Sequence, residues 1–138
     1  MSSATPKPYT KGLRQLMADK SHVLSKAQAL SDMGMSETAE PLWASAAEYE
    51  ERIGALLDSL GHELEAAVHR ISAASCYEKL GDPSRAANLY RAALAGPITD
   101  ATRRDVQRML ADCLSQVART PSSSARLHGA RDIATPAS

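Results

Sequence analysis

Four side chains able to hold a metal ion or move a proton gather in one stretch of this chain. His62, His69 and Cys76 recur every seven residues, and Glu65 stands four before His69. Imidazole, thiolate and carboxylate are the usual ligands of zinc and of di-iron centres, but a metal needs three or four of them converging on one point. On a helix, residues seven apart are separated by about 10 Å along the axis. The three therefore share a stripe, not an ion. Helical di-iron sites use two Glu-x-x-His pairs. Glu65 and His69 are one residue too far apart for that pattern, and no second pair exists. The stripe reads as packing, with its imidazoles hydrogen-bonded. No Ser/His/Asp or Cys/His arrangement for nucleophilic catalysis can be defended, and there is no glycine-rich phosphate loop. Arg103, Arg104 and Arg108 make a small basic patch without interleaved aromatics. That is a solvated helix face rather than a nucleic-acid site. These residues predict a protein that is not an enzyme and needs no cofactor. A metal-dependent helical-bundle enzyme stands only as a third reading.

The stripe lies in Gly61–Gly81, GHELEAAVHRISAASCYEKLG. At 100° per residue, Leu64, Ala67, Val68, Ile71, Ala74 and Ser75 share one side. Ala66, His69, Ala73, Cys76, Tyr77 and Leu80 fall nearly opposite. A helix apolar on two sides is expected between two neighbours, at the centre of the fold.

The neighbours are legible from helix punctuation. Met1–Tyr9, with Pro6 and Pro8, is expected to be a disordered lead-in. Thr10 caps a first helix carrying Leu13, Leu16, Met17, Val23, Leu24, Ala27 and Leu30, which stops at Gly34. Ser36 or Thr38 caps a long second helix that ends before Gly61. Pro41 removes one backbone bond if Ser36 is the cap and none if Thr38 is. Gly54 weakens this helix by about 1 kcal/mol relative to alanine. Gly81, Asp82 and Pro83 end the third helix and begin a fourth, Pro83–Ala95, with Ala86, Ala87, Leu89, Tyr90, Ala93 and Leu94 inward. Gly96 and Pro97 stop it. Thr99 or Asp100 caps a fifth helix with Val106, Leu110, Cys113, Leu114 and Val117 on its apolar face. Residues 120–138, rich in Ser, Ala, Gly and Pro, are expected to be a disordered tail. No segment alternates with period two long enough to make a strand. The fold class is all-α: about five antiparallel helices over residues 10–119.

Composition narrows the partners. The 138 residues carry no net charge and no phenylalanine, and only 4 % of them are aromatic. The core must then be built of small aliphatics, which suits closely packed helices. Zero net charge gives no case for nucleic acid. No apolar run approaches the roughly 18 residues of a membrane helix. The N-terminus has no apolar core of a secretion signal, and two cysteines on core-facing positions read as cytosolic thiols. A cytoplasmic location is expected. Charge is uneven: Glu37–Glu65 is strongly acidic, with Arg52 its one basic residue, while the N-terminus and the tail are basic.

Two helical hairpins align. Ala27, Leu30, Met33, Gly34, Ala39, Trp43 and Ala46 repeat as Ala74, Tyr77, Leu80, Gly81, Ala86, Tyr90 and Ala93, spacing for spacing, and Pro97 follows. The small residues let paired helices approach, the large ones fill the space beside them, and the glycines permit the turn. This pattern resembles the tetratricopeptide repeat (TPR) family, over roughly residues 20–117. The two units are offset by 47 residues, against the usual 34. That points toward a long-helix bundle, or the extended repeats of SNAP-like proteins, rather than a regular superhelix.

The resemblance implies an interaction scaffold that holds a peptide or amphipathic helix in a groove lined by the first helix of each hairpin. The matching positions here are Ser21, Leu24, Gln28, Val68, Ile71, Ser75, Arg108 and Asp112. The Lys/Asn clamp that some members use on a C-terminal carboxylate is replaced by Leu24, Gln28, Ile71 and Ser75, which disfavours chaperone tails. Self-association is a further expectation, because a short solenoid leaves its end helices partly bare. The alternative reading is a closed helical-bundle accessory protein acting through its acidic second helix or its tail.

Overall fold

Three glycines set the course of the chain. Gly34, Gly61 and Gly81 have φ of +79°, +89° and +75°, a left-handed conformation that costs other residues energy. At each, two backbone bonds close the same helix-ending turn. Met35, His62 and Asp82 donate to the carbonyls of Leu30, Leu57 and Tyr77 at 2.8–2.9 Å, and each glycine donates to the carbonyl three residues before it at 3.0 Å. These are Schellman turns, which satisfy the last carbonyls of a helix. The computed structural model describes residues 5–119 of the chain. It contains α1 (Lys11–Asp32), α2 (Ser36–Ser59), α3 (Glu63–Lys79), α4 (Pro83–Leu94) and α5 (Asp100–Arg119), and no strand among the described residues. The fold is all-α. The expectations for residues 1–4 and 120–138 lie outside the described residues.

Helix starts follow the side chains expected to cap them, with one exception. Thr10 Oγ1 accepts from the Leu13 amide (3.0 Å), Asp82 Oδ1 from Arg85 (3.1 Å) and Thr99 Oγ1 from Thr102 (3.1 Å). Before α2, however, Met35 occupies the cap position, with no side-chain bond, and Ser36 is already helical. Pro41 therefore lies within the helix. It supplies no N–H to the Glu37 carbonyl, and it is exposed, so water can serve that oxygen.

Each helix packs chiefly on the one before and the one after it: α1 on α2, α2 on α3, α3 on α4, α4 on α5. What lets them pack closely is small residues. Ala27, Ala39, Ala46, Ala74, Ala86 and Ala93, the small positions of the two aligned hairpins, are all fully buried, and Trp43, Tyr77 and Tyr90 are buried beside them. The α2–α3 turn repeats the device: Ala66 follows Gly61 at the spacing of Ala39 after Gly34 and Ala86 after Gly81, and it too is fully buried. Gly54, facing α3, is part of the same contact. A Cβ there would stand 3.4 Å from the Ala66 carbonyl oxygen.

Two expectations change. α3 does not bury both of its apolar sides. Its buried arc is Ala66, Ala67, Ala73, Ala74, Cys76 and Tyr77, whereas Leu64 and Val68 are each 47 % exposed. Two neighbours that approach over small residues leave the larger side chains on a third, uncovered side. The lead-in also differs over Thr5–Tyr9. The Lys7 amide donates to the Leu60 carbonyl (2.8 Å), His62 Nε2 donates to the Lys7 carbonyl (2.5 Å), and the Tyr9 ring stands edge-on to His62 at 5.1 Å. Two prolines favour an extended segment, and this one is strapped across the α2–α3 turn. Tyr9 then joins a small core of Leu13, Ile53, Leu57 and Ala66.

Candidate partner-binding groove

Because α1 and α3 both pack on α2, they stand as two walls with α2 as the floor between them. Toward their C-terminal ends they enclose an open cleft of about 190 Å³. Leu24 and Gln28 come from α1, Trp43 and Glu50 from the floor, and Ser72, Ser75, Cys76 and Lys79 from α3. A second hollow of about 220 Å³ adjoins it, lined by Ser31, Ser36 and Glu40 and sharing Trp43 and Lys79. The indole is held in place. Its Nε1 donates to Ser31 Oγ at 3.0 Å, and Lys79 Nζ lies 5.1 Å over its ring, a cation–π contact.

The floor holds a charge in the position of a core residue. Glu50 is 1 % exposed. His69 Nδ1 donates to its Oε1 at 2.6 Å, and Lys20 Nζ lies 3.6 Å from its Oε2. One carboxylate thus joins α1, α2 and α3 beneath the cleft. Burial of a carboxylate is tolerable only with such partners. Read from charge alone, Glu50 belongs to the acidic stretch of α2. The signal that separates it is register: Trp43, Glu50 and Leu57 are seven apart, on the face that also carries Ala46, Ala47, Ile53 and Gly54.

None of the eight expected groove residues is buried. Ser21, Gln28, Val68, Ser75, Arg108 and Asp112 are exposed, and Leu24 and Ile71 are half-buried. The cleft brings together Leu24, Gln28 and Ser75. It does not include Ser21, Val68 or Ile71. Arg108 and Asp112 stand apart on α5, where Arg108 pairs with Asp105 (3.0 Å). Nor do the three arginines form one patch: Arg103 is turned back onto the end of α4, donating to the Leu94 carbonyl (2.8 Å).

The seven-residue stripe is divided among three tasks. His62 holds the N-terminal strap, with Glu65 Oε1 3.1 Å from its Nδ1. His69 holds Glu50. Cys76 lies buried at the edge of the cleft. Among the described residues no three of His, Cys, Asp and Glu are placed to hold one metal ion, and no helix is long and apolar enough to cross a membrane. A larger hollow, about 430 Å³, lies between Asp58, Glu63 and Arg70 on one side and Ala92, Ala95, Gly96 and Pro97 on the other. Its Asp58 and Arg70 already pair with each other, and the remaining lining offers few convergent polar groups, so the smaller cleft is the better candidate.

Both thiols are held neutral. Burial pushes Cys76 up to about 11, aided by the negative charge of Glu50. Burial likewise raises Cys113 to about 11, with Glu78 adding to it. The folded chain thus keeps protons that the unfolded chain releases near pH 9, so the thiols' contribution to stability is fully present below pH 9 and is lost as pH rises toward 11. The unfolding free energy from urea titrations is expected to fall between pH 9 and 10.5, by roughly 1–2 kcal/mol per thiol, and a Cys76→Ala/Cys113→Ala chain to show a flatter profile. An equally steep profile in that variant would remove the thiols as its cause.

Comparison with known proteins leaves the groove to be read from its own geometry: no family model, no curated protein and no solved structure matches this chain.

Proposed function

We propose that this chain is a non-catalytic, TPR-like interaction module that holds a segment of another protein, a peptide or an amphipathic helix, between α1 and α3. The observation that carries the reading is the open cleft itself. It offers a small apolar patch, half-buried Leu24 with the little of the Trp43 ring that stays exposed, rimmed by Gln28, Ser72 and Ser75, on a floor held by Glu50 and its two partners. An apolar patch with a few placed polar groups, on helices locked from beneath, suits a protein segment. Self-association through the ends of the array is less favoured than bare end helices would imply. The outward residues of α1 include Gln15, His22, Ser25 and Lys26, and those of α5 include Arg104, Arg108 and Ser115, all exposed and polar. Polar outer faces are those of capping helices.

The test uses exposed positions, since Leu24 and Ile71 pack partly on the core and a charge there would confound binding with folding. A photo-crosslinker at Gln28 identifies the captured protein. Gln28→Glu/Ser75→Glu is expected to weaken its capture at least tenfold while the helical circular dichroism stays unchanged. Undiminished capture by this folded variant would overturn the reading.

A further inference from the structure

Resting on that reading, we propose that Lys79 and Glu40 set the charge pattern and the direction of the bound segment. It places a carboxylate at Lys79, a large apolar side chain on Leu24 and the Trp43 ring, and a basic side chain at Glu40. The cleft and the hollow beside it meet at Trp43 and Lys79, which line both. Their charged side chains are Glu50, Lys79 and Glu40. Glu50 is spent on His69 and Lys20 beneath the floor. Among the described residues neither Lys79 nor Glu40 is in a salt bridge. Glu40 precedes Trp43 by about 4.5 Å along the axis of α2, and Lys79 stands over the ring itself. The apolar seat thus carries an unpaired positive charge above it and an unpaired negative charge toward its outer end, a pattern that a segment of opposite polarity matches.

The donors agree with the charges. At 100° per residue Ser72, Ser75 and Lys79 fall on one arc of α3, so this wall offers two hydroxyls and an ammonium to a carboxylate. None of the three side chains donates a hydrogen bond among the described residues. On the opposite wall Gln28 already spends its amide on Asp32, at 2.9 Å. With Lys79 over it and the core beneath it, the Trp43 ring is only 4 % exposed. A carboxylate that draws the ammonium aside bares the ring for the neighbouring apolar side chain. At exposed sites a cation–π contact and an ion pair are of similar, small size, so the exchange costs little and the apolar contact decides the affinity. A segment laid in the other direction would set acid against Glu40 and base against Lys79, two like-charge contacts that reject it.

The test selects random displayed peptides on the full-length chain. Enriched peptides are expected to carry an acid, a large apolar residue and a base in one fixed order along their sequence, and a Glu40→Lys/Lys79→Glu chain to enrich the opposite order. The most enriched peptide is then synthesised and titrated against Trp43 emission, which reports on the cleft because the chain has one tryptophan. Lys79→Gln is expected to weaken its binding about fivefold and Lys79→Arg to retain it, with helical circular dichroism unchanged in both. Peptides without charge bias, both orders at equal frequency, or undiminished binding to Lys79→Gln would each overturn the proposal. If such peptides still lose binding to Gln28→Glu/Ser75→Glu, the groove reading stands without it. If no peptide is enriched, or the enriched ones bind that variant undiminished, the groove reading falls as well.

Discussion

Tyr90→Ala is expected to lower the stability of the fold by about 4 kcal/mol, within the range for removing a buried aromatic ring. Tyr90 is the largest of the fully buried side chains, at 0 % exposure, and much of the buried core around it is alanine and cysteine, so that refilling its place would fall to partly buried side chains such as Met109. Its ring stands where α4 meets α3 and α5. The hydroxyl donates to Glu78 of α3 and lies 3.6 Å from Met109 Sδ of α5, and burial followed by Glu78 drives its ionisation upward. Tyr90→Phe separates the two contributions. It keeps the ring and removes the donor, and because Glu78 is half-buried and can turn to water, the loss is expected to be about 1 kcal/mol. Urea unfolding at pH 7 followed by circular dichroism measures both, provided the slopes agree. A loss under about 2 kcal/mol for Tyr90→Ala would mean that α5 is not held through this ring.

Glu50→Ala is expected to cost about 3 kcal/mol, because it leaves Lys20 and His69 directed at an empty place. Their side chains are 16 % and 15 % exposed, so both can recover some solvation, and the cost falls at the lower end for a broken buried pair. Glu50→Gln keeps the shape and an acceptor for His69 and is expected to lose about 1–2 kcal/mol. The more discriminating variant replaces all three, Lys20→Met/Glu50→Leu/His69→Leu. Desolvation offsets most of the attraction within a buried charged group, so this chain is expected within about 1 kcal/mol of the wild type. If it falls as far as Glu50→Ala, the charges attract more than burial costs them. In either case the three residues join α1, α2 and α3 beneath the cleft, so on the proposed reading looser walls in Glu50→Ala would also appear as weaker partner capture.

Much of this was legible in the residues. Helix ends at Gly34, Gly61 and Gly81 follow from backbone sterics, and caps at Thr10, Asp82 and Thr99 follow from short polar side chains, both local effects. The alanine register that allows close packing is periodic and therefore readable as well. The third copy of the turn, at Gly61, was hidden because it joins two aligned hairpins and does not lie inside either.

What escaped is of another kind. Met35 rather than Ser36 or Thr38 precedes α2 because the turn at Gly34 feeds directly into the helix. Leu64 and Val68 are exposed although their spacing is that of a buried face. Glu50 is buried although it sits among surface acids. Thr5–Tyr9 is seated although it carries two prolines. Sequence alone determined the all-α class, the helix ends at the glycine turns and the small-residue contacts, because each depends on residues within a few positions of one another. Only the tertiary structure decided which apolar face α3 leaves open and that Leu24, Gln28 and Ser75 share one cleft. It also decided that a carboxylate lies beneath them, with Lys20 thirty positions before it and His69 nineteen after. Those facts depend on which helices meet, and a helix's periodicity tells how it is sided but not what stands opposite.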